Sequence, residues 1–498
     1  MSMFKWDVVD PAPGQAVAPH QRLAWGKTVG LGAQHVIAMF GATFVFPIIM
    51  GLNPNLAIMM SGIATICFLL IVKGRVPSYL GTSASFVGGA TAIYTYSGAG
   101  GPGGPADVTG AILVSGVVLA LVGVAIHFLG AGVVNTVLPP VVTGAVVMLI
   151  GFNLAGVATD VYLPTDPWIA MLTMTVVILM AVGLKGFLGR IAIFLALVFG
   201  YVVSWLADLV FGQITSPTPS SEGKAIAHDR VDWSGVASAD WFGFPPHTAD
   251  GLVGNQTLAG NLDAVGWHLP SFSVGFALLA LPAVIALVAE NIGHVKAVSG
   301  MTGADLDPVV GRAVAADGVG TVITSTVGGS PTTTYAENIG VMAATRVYST
   351  AAYFVAAVTA ILLGLVPKFG AIVAATPAGV LAGITLVLYG MIGLLGAKIW
   401  IENNVNFGDP ANLVPIAAGL ILGIGYGTTG FFTVFDNFQI LGLTLNLELG
   451  GIALGTIVII AGYHLARAVE PRALAGTMMA VGEPGVHRDD TTEPPPSA

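Results

Sequence analysis

Most of this 498-residue chain consists of apolar runs long enough to cross a lipid bilayer. A transmembrane helix needs about 20 consecutive apolar residues. Hydrophobic residues make up 55% of the chain and charged residues only 9%, against about 25% charged residues in soluble domains. Because every backbone N–H and C=O group in hydrocarbon must be paired within the segment, such runs fold as helices. The sequence therefore predicts an all-α polytopic membrane protein whose surroundings are the lipid bilayer.

Fourteen apolar segments can be read as spans. They lie at residues 28–49, 55–72, 79–97, 109–129, 133–151, 167–184, 191–211, 272–294, 312–327, 331–345, 350–366, 371–394, 411–427 and 447–468. Lys and Arg concentrate in cytoplasmic loops of membrane proteins. With both termini placed in the cytoplasm, 14 of the 17 Lys and Arg residues fall inside, the exceptions being Lys224, Arg230 and Lys368. This count predicts seven spans, an extracytoplasmic loop at 212–271 and seven more spans.

Two halves of seven spans enter the membrane from opposite sides, which is the plan of an inverted repeat. The third segment contains YLGTSASFVGG, and the tenth segment, its counterpart in the second half, contains VGGSPTTTYAE. Gly, Ser and Thr make a poor continuous helix. One such segment is explained by close helix packing, but two at matching positions favour a transporter binding site. The tails 1–21 and 472–498 are polar and predicted to be disordered, and the formal charge of -9 does not suggest a nucleic-acid partner.

Two glutamates lie in segments apolar enough to span a membrane. Glu290 and Glu337 each belong to a copy of the tetrapeptide A-E-N-I-G. A charged side chain at the centre of a bilayer costs on the order of 3 kcal/mol unless it faces a cavity or a partner. His294 lies four residues after Glu290 and shares its helix face. These two side chains are either solvated near the cytoplasmic end of their helix, or form a site in which the carboxylate binds a polar ligand and the imidazole shares its proton.

Glu337 and two further side chains, Asp317 and His35, are interpreted in the same way. Glu337 follows the extended stretch 330–335 and is expected to open a half-helix. There it either caps the helix dipole or accepts a ligand N–H beside unpaired backbone N–H groups. Asp317 is read equally well as an interfacial residue or as a functional one. His35 is expected to make a hydrogen bond between helices.

Other functional classes lack their sequence signatures. The chain has no phosphate-binding G-x-x-x-x-G-K-[ST] sequence, so ATP-driven transport is not predicted. No Cys/His cluster has zinc spacing, and the single cysteine, Cys67, excludes an intramolecular disulfide. No catalytic constellation is recognisable, so neither an enzyme nor a cofactor or metal is predicted. Coupling to protons is the natural source of energy for a transporter with buried carboxylates.

The sequence resembles the nucleobase–ascorbate transporters, also called nucleobase:cation symporter-2, from about residue 22 to 470. The likeness is carried by five segments: QHVIAMFGA (34–42), VPSYLGTSASF (76–86), PPVVTGAVVMLIGFNLAG (139–156), AENIGHVKAV (289–298) and ENIGVMAATR (337–346). It is strongest for the pyrimidine and uracil permeases. The resemblance implies a core domain of spans 1–4 and 8–11, included in 22–151 and 272–366. It also implies a gate domain of spans 5–7 and 12–14, included in 133–211 and 368–468, short strands in spans 3 and 10, and a homodimer.

The resemblance also implies a substrate site. Glu290 and Glu337 would bind the substrate, with Glu290, His294 and Asp317 involved in proton coupling. The other implied contacts are Ala42, Phe86, Tyr335, Ala336 and Tyr389. Phe86 is the candidate replacement for an aromatic residue that uracil permeases commonly have at the position of Ala84.

The implied function is a proton-coupled importer of uracil or a related pyrimidine in a bacterial inner membrane. Two carboxylates suit uracil, which presents two N–H donors and two carbonyl acceptors. A xanthine or urate permease of the same family is the first alternative, and a channel is a less favoured one.

Overall fold

The computed structural model describes residues 5–12, 15–96, 101–130, 132–218, 224–245, 266–427, 430–440 and 443–469. The segment 472–498, predicted to be a disordered tail, lies outside these residues. Within them the chain is almost entirely helical. The helices are α1 (Trp25–Ala38), α2 (Phe40–Ile49), α3 (Pro54–Ile71), α4 (Val87–Tyr94), α5 (Pro105–Leu129), α6 (Gly132–Val137), α7 (Pro140–Asn153), α8 (Pro167–Gly183), α9 (Gly186–Arg190), α10 (Ala192–Phe211), α11 (Ser234–Ser238), α12 (Val274–Ala280), α13 (Pro282–Thr302), α14 (Asp307–Ser325), α15 (Ala336–Thr345), α16 (Thr350–Gly364), α17 (Pro367–Ala374), α18 (Ala378–Glu402), α19 (Pro410–Tyr426) and α20 (Gly451–Val469).

Short strands form four two-stranded sheets among the described residues. The strands are β1 (Asp7–Val8), β2 (Gln21–Arg22), β3 (Leu80–Thr82), β4 (Ile214–Pro217), β5 (Ala225–His228), β6 (Thr332–Thr334), β7 (Phe431–Ile440) and β8 (Leu443–Gly450). The pairs β3–β6, β4–β5 and β7–β8 are antiparallel, and β1–β2 is parallel. The β7–β8 hairpin is not anticipated by the sequence analysis, which begins the fourteenth span at residue 447. In the structure the last helix begins at Gly451.

The apolar helices confirm a polytopic membrane protein. Eight helical segments of the described chain are long and apolar enough to cross a bilayer, and a ninth would be the pair Thr350–Gly364 and Pro367–Ala374, which is bent by 82°. Three shorter apolar helices add to these: Ala84–Tyr94, Pro167–Gly183 and Pro410–Tyr426. The structure thus establishes about eight or nine apolar spans, while the count of fourteen stays a prediction.

Glycines bring α5 and α14 into backbone contact, which fixes the helix that carries Asp317. A Cβ atom on Gly318 would lie 2.7 Å from the Cα of Ala120, and one on Gly311 would lie 2.6 Å from the Cα of His127. Both distances are too short for real carbon atoms. Small residues permit this approach in lipid, where helix association depends on van der Waals packing rather than on the hydrophobic effect. The glycine face of α14 is thereby packed on α5, and Asp317, on an adjacent face of the same helix, is itself fully buried.

The N-terminal segment is not a disordered tail in its described part, contrary to the prediction for residues 1–21. Val17 is fully buried and pairs with Val347. The indole N–H of Trp6 donates to the hydroxyl of Thr350 at 2.9 Å. Low hydrophobicity predicted disorder, but a few apolar side chains in this segment find a surface at the start of α16. Local composition cannot reveal such a surface.

The long loop after α10 is tied to two helix ends by Arg230. Its guanidinium lies 2.8 Å from a carboxylate oxygen of Asp166, at the start of α8, and 3.0 Å from one of Asp208, near the end of α10. Asp208 also accepts backbone N–H groups from Arg230 and Val231. Bonds to the two aspartates raise the pKa of Arg230 above its usual range, although burial acts in the opposite direction. Asp208 is therefore part of an ion-pair network that joins the loop to α10.

Replacing this arginine is expected to destabilise the fold. In Arg230→Met the two carboxylates keep little solvent access, with 7% and 12% of their side chains exposed, and lose their cation. Removing one partner of a buried ion pair costs about 3 kcal/mol, so the melting temperature in detergent should fall. The matched control is Lys27→Met, since the Lys27–Asp10 pair is largely exposed and worth at most about 1 kcal/mol. Equal melting temperatures for the two variants would contradict this role of Arg230.

Candidate binding site

Two buried strands pair with each other at the centre of the candidate site. In the β3–β6 pair, Leu80 lies opposite Thr334, Gly81 opposite Thr333 and Thr82 opposite Thr332. All six residues are buried. The short strands implied for the third and tenth spans are therefore present. Non-helical backbone at membrane depth is tolerated where it is enclosed by protein or lines a cavity. The β3–β6 pair is therefore a natural position for a ligand site.

Gly81 permits a close approach between β3 and the first helices. A Cβ atom at this position would lie 2.9 Å from the hydroxyl oxygen of Thr43 and would overlap the methyl group of Met39. The hydroxyl of Thr82 bonds to the hydroxyl of Ser330 at 2.8 Å. The tyrosine hydroxyl of Tyr335 donates to the Thr82 carbonyl. These contacts join β3, α2 and the segment before α15 into one packed unit.

Glu290 and His294 face the strand β6 from α13. The hydroxyl of Thr333 donates to the Oε2 atom of Glu290 at 3.3 Å. The Nδ1 atom of His294 lies 2.7 Å from the hydroxyl oxygen of Thr334. Both side chains are partly buried and contact hydroxyl groups of β6, which favours the site interpretation of this pair over the solvated one. The sequence spacing placed them on one face, and the structure turns that face toward β6.

Glu337 lies in the first turn of α15, immediately after β6. The residue before this helix, Tyr335, has an extended backbone, and no side chain caps the helix start. The first backbone N–H groups of a helix have no partner within the helix and are available to an acceptor. The carboxyl groups of Glu337 and Glu290 are close enough to influence each other electrostatically. A helix start and two carboxylates consequently share one region beside the β3–β6 pair.

Asp317 is fully buried on α14, so the interfacial alternative is wrong. Its Oδ2 atom accepts a hydrogen bond of 2.7 Å from the side-chain amide of Asn291. Its Oδ1 atom has no hydrogen-bond partner among the described residues. Asn291 follows Glu290 directly in the chain, so Asp317 belongs to the surroundings of the two carboxylates.

The remaining implied contacts are placed less directly. Phe86 ends a 3₁₀ turn, Ala84–Phe86, that follows β3, and its side chain is buried. Tyr389 is buried on α18, and its hydroxyl has no partner among the described residues. The backbones of Ala42 and Ala336 belong to α2 and α15, but their side chains lie outside what the structure describes. No hydrogen bond in the described part of the chain joins Phe86 or Tyr389 to the carboxylates.

The asparagines of the two A-E-N-I-G sequences are contacts that the sequence analysis missed. Asn291 binds Asp317, and the Oδ1 atom of Asn338 lies 2.9 Å from Nδ1 of His35. The His35 ring also stacks on Tyr353, with ring centroids 4.3 Å apart. The expected helix-to-helix role of His35 is thus confirmed. In both A-E-N-I-G sequences the glutamate is followed by an asparagine that bonds to another helix. The repetition of this tetrapeptide was the signal that could have revealed the two asparagines.

The described residues contain no cluster of three His, Cys, Asp or Glu side chains suited to hold a metal ion. What the site offers is a set of carboxylates, hydroxyls and helix-start N–H groups in a buried setting. These groups recognise a small polar molecule by hydrogen bonding.

Comparison with known proteins gives relatives along almost the whole chain. Residues 26–430 match the family model Xan_ur_permease, described as a permease family. A relative from Escherichia coli K12, named "Putative pyrimidine permease RutG", is 42% identical, over 82% of this chain and 85% of that protein. The uracil permease of Bacillus caldolyticus is 35% identical, over 85% and 90%. The uracil permease of Escherichia coli K12 is 32% identical, over 89% and 92%.

Two solved structures share the fold at low sequence identity. The transmembrane domain of the cyanobacterial bicarbonate transporter BicA has a TM-score of 0.51 and 13% identity, covering 88% of this chain and 96% of that one. The murine anion transporter Slc26a9 in its inward-facing state has a TM-score of 0.58 and 10% identity, covering 89% and 68%. At these identities the likeness concerns the architecture of a membrane transporter and not the substrate.

Proposed function

This chain belongs to the Xan_ur_permease family, the nucleobase:cation symporter-2 transporters, and on that premise we propose that it imports uracil or a related pyrimidine together with a proton. It is a multi-pass membrane transporter and not an enzyme, as its permease relatives indicate. The proposed location is a bacterial inner membrane, with both termini in the cytoplasm. The finer proposals concern the substrate, the site residues, the coupling ion and the architecture.

One observation carries the proposal for a pyrimidine. The carboxylate of Glu290 is held by Thr333 of β6, and the same strand leads into the helix start that bears Glu337. Two carboxylates can accept the two N–H groups of uracil, and backbone N–H groups after Tyr335 can donate to a carbonyl. Ala42, Phe86, Ala336 and Tyr389 are proposed to enclose the ring. The names of the relatives, which are uracil and pyrimidine permeases, support the same substrate class.

The proposed coupling uses Glu290, His294 and Asp317. A carboxylate that is buried when the site is empty gains from taking up a proton, because an uncompensated charge is costly at membrane depth. Protonation would permit the neutral base to bind, and the core would then move against the gate. Proton binding and base binding would therefore be linked at one site.

The proposed architecture is two inverted repeats of seven spans. The pairing of β3 with β6, which come from the third and tenth predicted spans, supports it, since inverted-repeat transporters build their sites from interrupted segments at matching positions. The proposed core and gate domains follow the ranges expected from the sequence. A homodimer through the gate domains is part of the same proposal.

Uptake of labelled uracil into proteoliposomes tests the function. We expect saturable accumulation of labelled uracil. Unlabelled pyrimidines should compete with it, whereas unlabelled xanthine and urate at equal concentration should leave it unchanged. A protonophore should abolish the accumulation. Competition by the purines instead of the pyrimidines would indicate the purine permease. Accumulation that survives the protonophore but requires sodium would replace proton coupling with sodium coupling, and uptake without saturation would indicate a channel.

A further inference from the structure

Four side chains form a continuous hydrogen-bonded chain from α14 to α13. Asp317 is joined to Asn291 at 2.7 Å, Asn291 to Thr334 at 3.2 Å, and Thr334 to Nδ1 of His294 at 2.7 Å. Asp317, Asn291 and Thr334 are buried, with at most 2% of each residue exposed. The direction in which each bond donates can be deduced from its neighbours.

The side-chain amide of Asn291 can have only one orientation. One of its atoms lies 2.9 Å from the backbone carbonyl of Leu287 and 2.7 Å from the carboxylate of Asp317. Both neighbours are acceptors, so this atom is the nitrogen, with two hydrogens to donate. The result is the same if Asp317 is protonated on Oδ1, because Oδ2 still accepts. The oxygen of the amide must therefore face Thr334.

This orientation decides the role of Thr334. A carbonyl oxygen cannot donate, so the single hydroxyl hydrogen of Thr334 is donated to Asn291. The hydroxyl oxygen is then left to accept from the neighbouring nitrogen of His294, since a hydroxyl has one hydrogen and two lone pairs. Nδ1 of His294 consequently carries a hydrogen.

We propose that Asp317 is a positioning residue that acts through Asn291 and Thr334 to keep the proton of neutral His294 on Nδ1, leaving Nε2 as the proton acceptor. An amide does not readily pass a proton onward, so the chain orients the imidazole instead of conducting protons from Asp317. The tautomer follows from the hydrogen-bond geometry alone. Its use in transport rests on the proposed function, where Nε2 would receive the coupled proton or an N–H group of the base.

Nitrogen-15 NMR of histidine-labelled protein in lipid, without substrate and at pH 8, tests the tautomer. The His294 signals are assigned by difference from the His294→Asn variant. We expect the Nδ1–H form in the unmodified protein and in Thr334→Ser, which keeps the hydroxyl. In Thr334→Val the loss of one hydrogen bond should move the tautomer ratio about tenfold toward Nε2–H. The control is Thr91→Val, because the hydroxyl of Thr91 donates within its own helix, to the Val87 carbonyl, and has no other partner in the described part of the chain.

A charge swap tests whether Asp317 sets the donor and acceptor directions along this hydrogen-bonded chain. Asn291→Asp places two carboxylates side by side. The His294 nitrogen signals should then no longer correspond to a single tautomer, and uracil uptake should fall at least tenfold. The double variant Asn291→Asp, Asp317→Asn restores a donor at 317 and an acceptor toward Thr334 but leaves the Leu287 carbonyl without its donor, so it should recover part of the Nδ1–H form. Uptake in the double variant should exceed that of Asn291→Asp.

The outcomes separate this inference from the proposed function. An Nε2–H form in the unmodified protein, or an unchanged tautomer in Thr334→Val, would overturn the positioning role even if uracil is transported. Failure of the swap to restore the signal would overturn the part assigned to Asp317. The expected spectra with no uracil uptake would support the tautomer and count against the proposed function alone.

Discussion

Glu290→Gln should lower uracil uptake by about 100-fold while the protein remains folded in the membrane. The reason lies in the hydroxyl of Thr333, which donates to Glu290. A glutamine has one acceptor oxygen, and when Thr333 occupies it the amide N–H₂ group faces the site. There it meets an N–H group of the base, donor against donor. Leaving that buried N–H group of the base without an acceptor costs about 3 kcal/mol, which corresponds to roughly a hundredfold change in binding.

The matched control for this substitution is Glu402→Gln. Glu402 lies at the end of α18, is exposed and, among the described residues, forms an ion pair with Lys398 alone, at 3.6 Å, so its neutralisation should leave uptake unchanged. A second variant, Glu290→Gln with Thr333→Val, frees the glutamine oxygen and should recover part of the binding but not the accumulation, because a glutamine cannot carry a proton. Normal uracil accumulation in Glu290→Gln would remove Glu290 from the proposed site.

Glu337→Gln is expected to lower uracil uptake by at least tenfold and to make xanthine a better competitor. The physical reason is that a carboxylate only accepts hydrogen bonds, whereas an amide both donates and accepts. The change lies in the first turn of α15, so it also removes a negative charge that the helix dipole favours by about 0.5 kcal/mol.

Stability and selectivity measurements separate these two effects. If Glu337 only caps the helix, the variant should have a slightly lower melting temperature and unchanged preference between uracil and xanthine. If it binds substrate, the ratio of inhibition constants for the two bases should change by tenfold or more while the melting temperature stays nearly constant. An unchanged ratio would restrict Glu337 to capping.

Much of the fold followed from local sequence properties. Long apolar runs predicted a polytopic membrane protein, and the Gly, Ser and Thr residues near 81 and 333 predicted interruptions where β3 and β6 occur. The N-terminal segment was predicted incorrectly, because the burial of Val17 depends on the remote residue Val347. Local composition reports whether a segment can be helical or apolar. It does not report which surface a short polar segment finds.

The candidate carboxylates could be found from the sequence because an ionisable residue in an apolar run is costly wherever the run packs. The hydrogen-bond partners of these side chains could not be found in this way. Thr333 lies 43 residues from Glu290, Asn291 lies 26 residues from Asp317, and His35 lies 303 residues from Asn338. Hydrogen bonds have narrow limits of distance and angle. A rotation of α13 or a one-residue slip of β6 would break all of those made by Glu290 and His294.

Hydropathy and helix propensity are properties of neighbouring residues, so they were enough to predict the class of protein, the interrupted spans and the apolar segments that carry Glu290, His294, Asp317 and Glu337. The burial of Asp317 beside Asn291, and the contact between His294 and Thr334, emerged from the folded arrangement. Those facts depend on how α13, α14 and β6 pack, and packing is set by the shapes of surfaces that are distant in the chain.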